Sequence, residues 1–143
     1  IGMPLTIAKK NGVGIAYVKD EPRVAIIAEL SNGFNIAVTH LSFVPIVNFL
    51  QLRRLQRVLS SLHGIPLLIG DLNLPWNLPA RSGWKSLVDQ LTYPSWDKKI
   101  QFDYILTDKT SANEIKAEKI NLPLLGVSDH LPIGLEIIPI QSK

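Results

Sequence analysis

The stretch GIPLLIGDLNLPWN, residues 64–77, decides how this chain folds and where its polar chemistry begins. The apolar run Leu67–Ile69 is typical of a short buried strand bounded by turn residues. Asp71 and Asn73 follow it, one residue apart. The two-residue repeat of an extended chain predicts that both polar side chains point to one side, with Leu72 turned into the core.

A hairpin and a helix are predicted ahead of this strand. Residues 23–33 and 34–40 have strand composition and meet at an Asn-Gly pair, which is a strong signal for a two-residue hairpin. Leucines recur at spacings of three and four between residues 48 and 62 and predict an amphipathic helix. Gly64 is expected to end that helix.

The remaining chain predicts further strands and one long loop. The loop spans residues 74–99, with a short helix expected within residues 83–91. Strands are expected at residues 12–20, 101–108, 113–122 and 131–140. The order of elements predicts one α/β domain whose strands are mostly antiparallel.

Composition limits the possible classes of protein. The chain has 143 residues, of which 46% are hydrophobic and 19% charged, as in ordinary globular domains. No apolar run approaches the ~20 residues that span a bilayer. Because cysteine is absent, a disulfide framework and a zinc–thiolate site are excluded. The net charge of +3 suits an anionic substrate, and nothing in the sequence specifies a compartment.

Polar residues interrupt the apolar pattern where the predicted strands end, as is usual when a rigid scaffold presents a site. Each has an ordinary structural alternative, because Asp and Asn favour turns and a single His often only caps a loop. A carboxylate within a strand is disfavoured unless it has a partner, and a histidine elsewhere would supply one for Asp103. The candidate site residues are His40, Asp71, Asn73, Asp103, Asp129 and His130.

Four motifs, THLS (39–42), GDLN (70–73), FDYIL (102–106) and SDHLPI (128–133), resemble in this order the endonuclease/exonuclease/phosphatase superfamily. The resemblance implies part of a four-layered α/β sandwich, a two-sheet core flanked by helices. None of the five glutamates lies in the Leu-Gln-Glu-like motif that supplies a metal ligand in that family. Residues 1–143 are therefore expected to form a single partial domain that lacks the amino-terminal half.

The resemblance implies metal-dependent hydrolysis of a phosphate ester, as in a phosphodiesterase or nuclease, by in-line attack of an activated water. Asp71 would activate the water, and Asn73 would hold the water or a phosphate oxygen. His130 would contact the phosphate while Asp103 orients its ring. His40 would be a second phosphate contact or the acid for the leaving group.

Asp129, together with Asp71, would bind Mg²⁺ or Mn²⁺. Nucleic acid, a phospholipid headgroup or an inositol phosphate would be the substrate, and the loop aromatics Tyr93, Trp96 and Trp76 are weaker candidates to contact it.

Two other classes of function remain open: a catalytically inactive member or fragment that binds a phosphorylated ligand or a protein partner, and an assembly module. The strand at residues 24–30 is largely apolar on both sides, and the closing strand repeats this pattern. Without the amino-terminal half, part of this surface would have no partner, so we also expect an exposed apolar sheet face and self-association. Activity of the 143-residue chain alone is expected to be poor, because the glutamate ligand has no counterpart.

Overall fold

The computed structural model describes residues 5–8 and 22–140 of the chain. Within these ranges the elements are eight strands, two α-helices and one 3-10 turn. The strands are β1 (Leu5–Ala8), β2 (Ala25–Glu29), β3 (Phe34–His40), β4 (Ile65–Asp71), β5 (Trp84–Ser86), β6 (Asp103–Asp108), β7 (Ile115–Lys119) and β8 (Leu135–Pro139). The helices are α1 (Val47–Ser60) and α2 (Leu78–Arg81), and the 3-10 turn is Ser111–Asn113.

Six strands form one sheet in the order β1-β2-β3-β4-β6-β5, and β7 pairs with β8 in a second sheet. Only β3 and β4 run parallel among the described pairs, with α1 as the crossover that a parallel pair requires. The α/β fold with mostly antiparallel strands is therefore confirmed. The parallel pair brings the carboxyl ends of β3 and β4 to the same edge of the sheet.

The predicted hairpin joins β2 to β3, but its loop comprises residues 31–33 and not the two residues of an Asn-Gly turn. Gly33 has φ +88°, a conformation that glycine adopts without steric cost. The Leu30 N–H donates to the carbonyl oxygen of Phe34 at 2.8 Å and closes the turn. The hairpin fixes the register of β2 against β3, so it also fixes which residues share a face of the sheet.

Helix α1 lies along one face of the large sheet. Leu52 and Leu59 are fully buried there, as their helical spacing predicts. The helix ends at Ser60, so the prediction that Gly64 ends it is wrong. Gly64 has φ +116° and instead lets the chain enter β4 close to the hairpin, where a Cβ atom would clash with the carbonyl oxygen of Gly33. No helix in the described ranges is both long and apolar enough to cross a membrane.

The two faces of the six-stranded sheet are covered by different elements. The outer face, which carries Ala37, Leu68 and Leu106, packs against α1. The inner face, which carries Phe34, Leu67 and Ile105, packs against β7 and β8. Helix, large sheet and small sheet give three of the four layers that the resemblance implies. Strand β8 and the residues just before it contribute three partly buried side chains to this packing: Ile133, Leu135 and Ile137.

Part of the inner face lies beyond the small sheet. Ile26 and Val38 are register partners on β2 and β3, and they are 41% and 49% exposed. Val24, just before β2, is 46% exposed. The expected exposure of apolar residues is therefore seen at β2 and β3, whereas β8 and the residues leading into it are partly buried against the inner face.

The segment between β4 and β6 differs from its prediction in two respects, and one is that its short helix is α2, at Leu78–Arg81. Within residues 83–91 the structure has strand β5, not a helix, and Trp84 is buried while it pairs with Asp108. A short apolar run does not distinguish a helix from an edge strand, because the choice depends on what the run packs against. The strand predicted at residues 12–20 lies outside the described residues.

Candidate active site

A row of three polar side chains crosses the inner face at one edge of the large sheet. His40 is the register partner of Asp71, and Asp71 is the register partner of Asp103. Because β3 and β4 are parallel, their last residues lie side by side, and the antiparallel β6 begins at the same level. The sheet itself therefore places an imidazole and two carboxylates next to one another.

His130 completes this row from the loop that precedes β8. Its Nδ1–H donates to Asp103 Oδ2 at 2.7 Å, and its Nε2 lies 3.8 Å from Asp71 Oδ2. The expectation that Asp103 lies within hydrogen-bond reach of His130 is met. The rings of Tyr93 and Phe102 lie 5.0 and 6.4 Å from the imidazole centroid. The hydrogen bond and these rings fix the orientation of the histidine.

Asn73 links the end of β4 to His40. Its backbone N–H donates to Asp71 Oδ1 at 2.9 Å, and its Nδ2 donates to the Leu41 carbonyl oxygen at 3.1 Å. The same Nδ2 lies 3.1 Å from His40 Nε2, which is also 3.4 Å from Asp71 Oδ2. The His40 nitrogen can accept from the amide when the ring is neutral, and can donate to the carboxylate when it is protonated.

The structure corrects the reason for the closeness of Asp71 and Asn73. Strand β4 ends at Asp71, and Asn73 has φ +50°, so the repeat of an extended chain does not continue to it. An Asx turn, in which the carboxylate accepts the N–H two residues on, brings Asn73 back over the sheet. Leu72 is fully buried, as predicted. Asp71 and Asn73 therefore form an Asx turn and also belong to the candidate site, although the sequence analysis treated these two roles as alternatives.

Two buried residues that the sequence reasoning missed hold this turn in place. Asn48, in the first turn of α1, donates from Nδ2 to the Asn73 carbonyl oxygen at 2.8 Å. The Tyr104 hydroxyl donates to the Leu74 carbonyl oxygen at 2.8 Å, and burial raises the pKa of this phenol to about 12. Asn48 precedes Leu52 by four residues, so it lies on the apolar side of the helix. A polar residue at such a position needs a hydrogen-bond partner, and this was the signal that could have identified Asn48 from the sequence.

Burial and neighbouring charges shift the ionisation of the site. Burial raises the pKa of Asp71 above its ordinary value, and the charge of Asp103 adds to this rise. The Asn73 N–H and the two histidines act in the opposite direction but do not cancel it. Burial of His130 lowers its pKa, but the hydrogen bond and charge of Asp103 outweigh burial, so the pKa is raised. The site thus favours a basic carboxylate beside a cationic imidazole.

The donor set of the row fits a divalent cation. Asp71, Asp103 and His130 each offer an atom, and these atoms lie within 4.8 Å of one another. Burial and the charge of Asp103 raise the pKa of Asp71, and the positive charge of a bound cation would oppose both effects. Mg²⁺ and Mn²⁺ prefer oxygen, so the two carboxylates are the better ligands and the imidazole, which is occupied by Asp103, is the poorer one.

The other predicted residues lie around this centre. Asp129 is exposed and is not part of the group of three donors, although its charge contributes to the raised pKa of His130. Trp96 lines a groove of about 500 Å³ that also includes Asp103 and His130. Trp76 is 78% exposed and does not line this groove. The structure therefore brings together five of the six predicted polar residues and one of the two tryptophans.

No family model matches this chain, and no curated protein matches its sequence. Solved structures are similar to it in fold. A mannosyl-6-phosphatase from Bacteroides thetaiotaomicron aligns with a TM-score of 0.61 and 12% identity, over 96% of this chain and 66% of that one. The human Nocturnin catalytic domain, with a bound sulfate anion, aligns with a TM-score of 0.56 and 20% identity, over 84% and 54%.

A third similar structure is D. rerio TDP2 complexed with a single-strand DNA product. Its TM-score is 0.52 and its identity 17%, over 93% of this chain and 65% of that one. These likenesses show that the chain shares the α/β fold of these three structures, which is the fold class that the resemblance implies. It spans between about half and two thirds of the length of these structures.

Proposed function

We propose that the row of His40, Asp71 and Asp103, completed by His130, is the hydrolytic centre of a phosphoesterase. The observation that carries the proposal is that the Asp71 carboxylate and the His130 imidazole lie together, with His130 Nε2 3.8 Å from Asp71 Oδ2 and His130 Nδ1 2.7 Å from Asp103 Oδ2. Burial raises the pKa of the Asp71 carboxylate, and Asp103 raises the pKa of the imidazole. Phosphate-ester hydrolysis needs a base for water and positive charge for the phosphate oxygens. The two groups supply these on one face of the sheet.

Asp71 takes the proton of the attacking water. The water oxygen forms a bond to phosphorus as the bond from phosphorus to the ester oxygen breaks, and the departing alkoxide takes up a proton. His40 is the proposed acid for the alkoxide, and its Nε2, 3.4 Å from Asp71 Oδ2, is close enough to receive the proton that Asp71 takes from the water. The Asn73 Nδ2, which lies 3.1 Å from the same nitrogen, would donate to the water or to a phosphate oxygen in place of His40.

His130 stabilises the negative charge of the transferred phosphoryl group. Asp103 keeps Nδ1 protonated, which leaves the Nε2–H directed at the substrate. The carboxylate partner also favours the positively charged form of the ring, because it raises the pKa of His130. Tyr93, in contact with the ring, helps to hold it in this direction.

Asp71 and Asp103 would hold a divalent cation, Mg²⁺ or Mn²⁺, with Asp129 as a further carboxylate near His130. A bound cation would supply charge neutralisation for the phosphate and lower the pKa of a coordinated water. The similar structures support this chemistry, since one is a phosphatase and another was solved with a DNA product. Nucleic acid, a phospholipid headgroup and an inositol phosphate are the proposed substrate classes.

Hydrolysis of bis(p-nitrophenyl) phosphate by the 143-residue chain, with Mg²⁺ and then with Mn²⁺, tests the proposal. We expect a slow rate, since no glutamate in the described ranges joins the group of donors. Asp71→Asn removes the base and should lower the rate by about 100-fold or to the background. Asp89→Asn makes the same charge change on an exposed loop residue and should leave the rate unchanged.

Equal rates for both variants and for the wild-type chain would reject the hydrolytic centre. The missing glutamate favours one other function, binding of a phosphorylated ligand without turnover. This alternative predicts no hydrolysis by any variant, together with phosphate binding that His130→Ala abolishes in calorimetry. A robust rate with Mg²⁺ that Asp71→Asn abolishes would instead show that the chain needs no glutamate ligand.

A further inference from the structure

The groove beside the active site has an apolar rim that the hydrolytic chemistry does not explain. Trp96 forms part of one side, and a segment that includes Leu124, Leu125 and Val127 forms part of the lining. These four side chains are between 70% and 84% exposed. Large apolar side chains that remain exposed together around a concave surface are typical of a binding site.

This groove is continuous with the reacting groups. Asp103 and His130 line the same space of about 500 Å³ as Trp96 and Leu125, so a substituent of a phosphate held at His130 would enter this space. A space of this size accommodates an aryl group or a short alkyl chain. The rim is therefore placed to contact the substrate and not only to cover the domain.

The charges of the groove select against a long polyanion. Asp103 and His130 are the only ionisable residues that line it in the described part of the chain. Proteins that follow a nucleic-acid backbone need Lys and Arg along the track. The arginines of α1, such as Arg53, belong to the helix that covers the outer face of the sheet. The lining is thus complementary to an uncharged apolar group next to a single phosphate.

We propose that the groove binds an apolar substituent, aryl or alkyl, esterified to the phosphate of a small substrate. The proposal rests on the proposed phosphoesterase site, because His130 must hold the phosphate. Within the proposed phosphoesterase function, it favours phosphate esters in which an apolar group lies directly beside the reacting phosphorus and disfavours nucleic acid and inositol phosphates. Trp96 and Leu125 determine this specificity by contact.

Binding of non-hydrolysable phosphonates, measured by calorimetry with Mg²⁺ present, tests the proposal without requiring turnover. Hexylphosphonate and phenylphosphonate should bind at least about tenfold more tightly than methylphosphonate, since each buried methylene favours binding. Trp96→Ala and Leu125→Ala should reduce this preference to near one. Leu50→Ala, the same change at a 54% exposed position on α1, should leave the preference intact.

The proposal would be overturned if the chain bound all the phosphonates equally or bound none of them. It would also be overturned if the preference for hexylphosphonate and phenylphosphonate survived in both groove variants, or if Leu50→Ala removed that preference as well. If the wild-type chain did not discriminate among phosphonates but bound phosphatidylcholine vesicles, and Leu125→Ala abolished that binding, the rim would be a membrane-binding surface. If the wild-type chain formed a dimer that Leu125→Ala dissociated, the rim would be an interface with a second copy of the chain. Preference for hexylphosphonate without any ester hydrolysis would retain the groove and reject only the hydrolytic function.

Discussion

The outer face of the six-stranded sheet is closed by α1, whereas the inner face is closed over only part of its width by β7 and β8. On the outer face, Leu52, Leu59 and Leu68 have no exposed surface. On the inner face, Ile26 and Val38 remain 41% and 49% exposed. The difference indicates that the outer face provides most of the stability and the inner face provides the site.

The same contrast separates two kinds of polar residue. Asn48 and Tyr104 are buried and make hydrogen bonds to backbone carbonyls, so they serve to hold the loop after β4. Asp71, Asp103 and His130 are only partly buried and make their hydrogen bonds and ion pairs with one another or with the Asx turn. Groups that keep access to solvent and share their partners are available for chemistry.

The largest expected effect is on the outer face. Leu59→Ala should lower the free energy of unfolding by about 2–5 kcal/mol, since it leaves a cavity between α1 and the sheet. Urea denaturation followed by circular dichroism measures this loss. The matched variant Val38→Ala, at a half-exposed position, should cost less than about 1 kcal/mol. Equal losses would mean that the inner face is as fully packed in solution as the outer one.

Asn48→Ala should have the next largest effect, because it should change both the free energy of unfolding and the geometry of the site. Loss of its buried hydrogen bond to the Asn73 carbonyl should cost about 1–3 kcal/mol of stability. Because Asn73 would then shift relative to His40, kcat for a phosphodiester should fall more than KM changes. Asn113→Ala removes an exposed hydrogen bond to a carbonyl and should alter neither quantity. A loss of stability with kcat unchanged would limit Asn48 to a structural role.

A smaller, pH-dependent effect is expected for Asp103→Asn in metal-free buffer. The pKa of His130 is raised in the folded chain, so the pair stabilises the fold fully below the unfolded pKa of histidine, 6.5, and loses this contribution as pH rises through the folded pKa. The stability difference between wild type and variant should be about 1 kcal/mol near pH 6 and should decrease toward pH 9. Urea titrations across this range measure it, and a difference that grows with pH contradicts the assignment.

The smallest effect on stability is expected at the uncovered part of the inner face. Val38→Ser should change the free energy of unfolding by less than about 1 kcal/mol, because the side chain is half exposed. The same variant should reduce any self-association of the chain, which we propose to involve this face. Sedimentation velocity of the two proteins at several concentrations measures the change. A wild-type chain that stays monomeric throughout would exclude association through Ile26 and Val38.

Local patterns predicted much of the fold and most of the site. The Asn-Gly hairpin, the leucine helix and the strand before Asp71 each follow from a short stretch whose periodicity is unambiguous. The contact between Asp103 and His130 was predictable, because a carboxylate at a strand needs a partner and histidine was the available one.

The features that sequence reasoning missed depend on non-local contacts. The parallel pairing of β3 with β4 aligns His40 with Asp71, and this register depends on α1 packing across both strands. Strand β5 forms where a helix was expected, because β6 offers an edge to Trp84. The left-handed conformation of Asn73 and the anchoring by Asn48 depend on contacts between distant segments, which periodicity does not report.

The origin of the oxygen transferred to phosphorus tests the central claim most directly. Bis(p-nitrophenyl) phosphate is incubated with the chain and Mn²⁺ in ¹⁸O-labelled water, and the products are analysed by ³¹P NMR and mass spectrometry. We predict that the label appears in the phosphate monoester and not in p-nitrophenol, and that Asp71→Asn abolishes its incorporation while Asp89→Asn does not. Label in p-nitrophenol, or the same incorporation with Asp71→Asn, would contradict attack at phosphorus by a water that Asp71 activates.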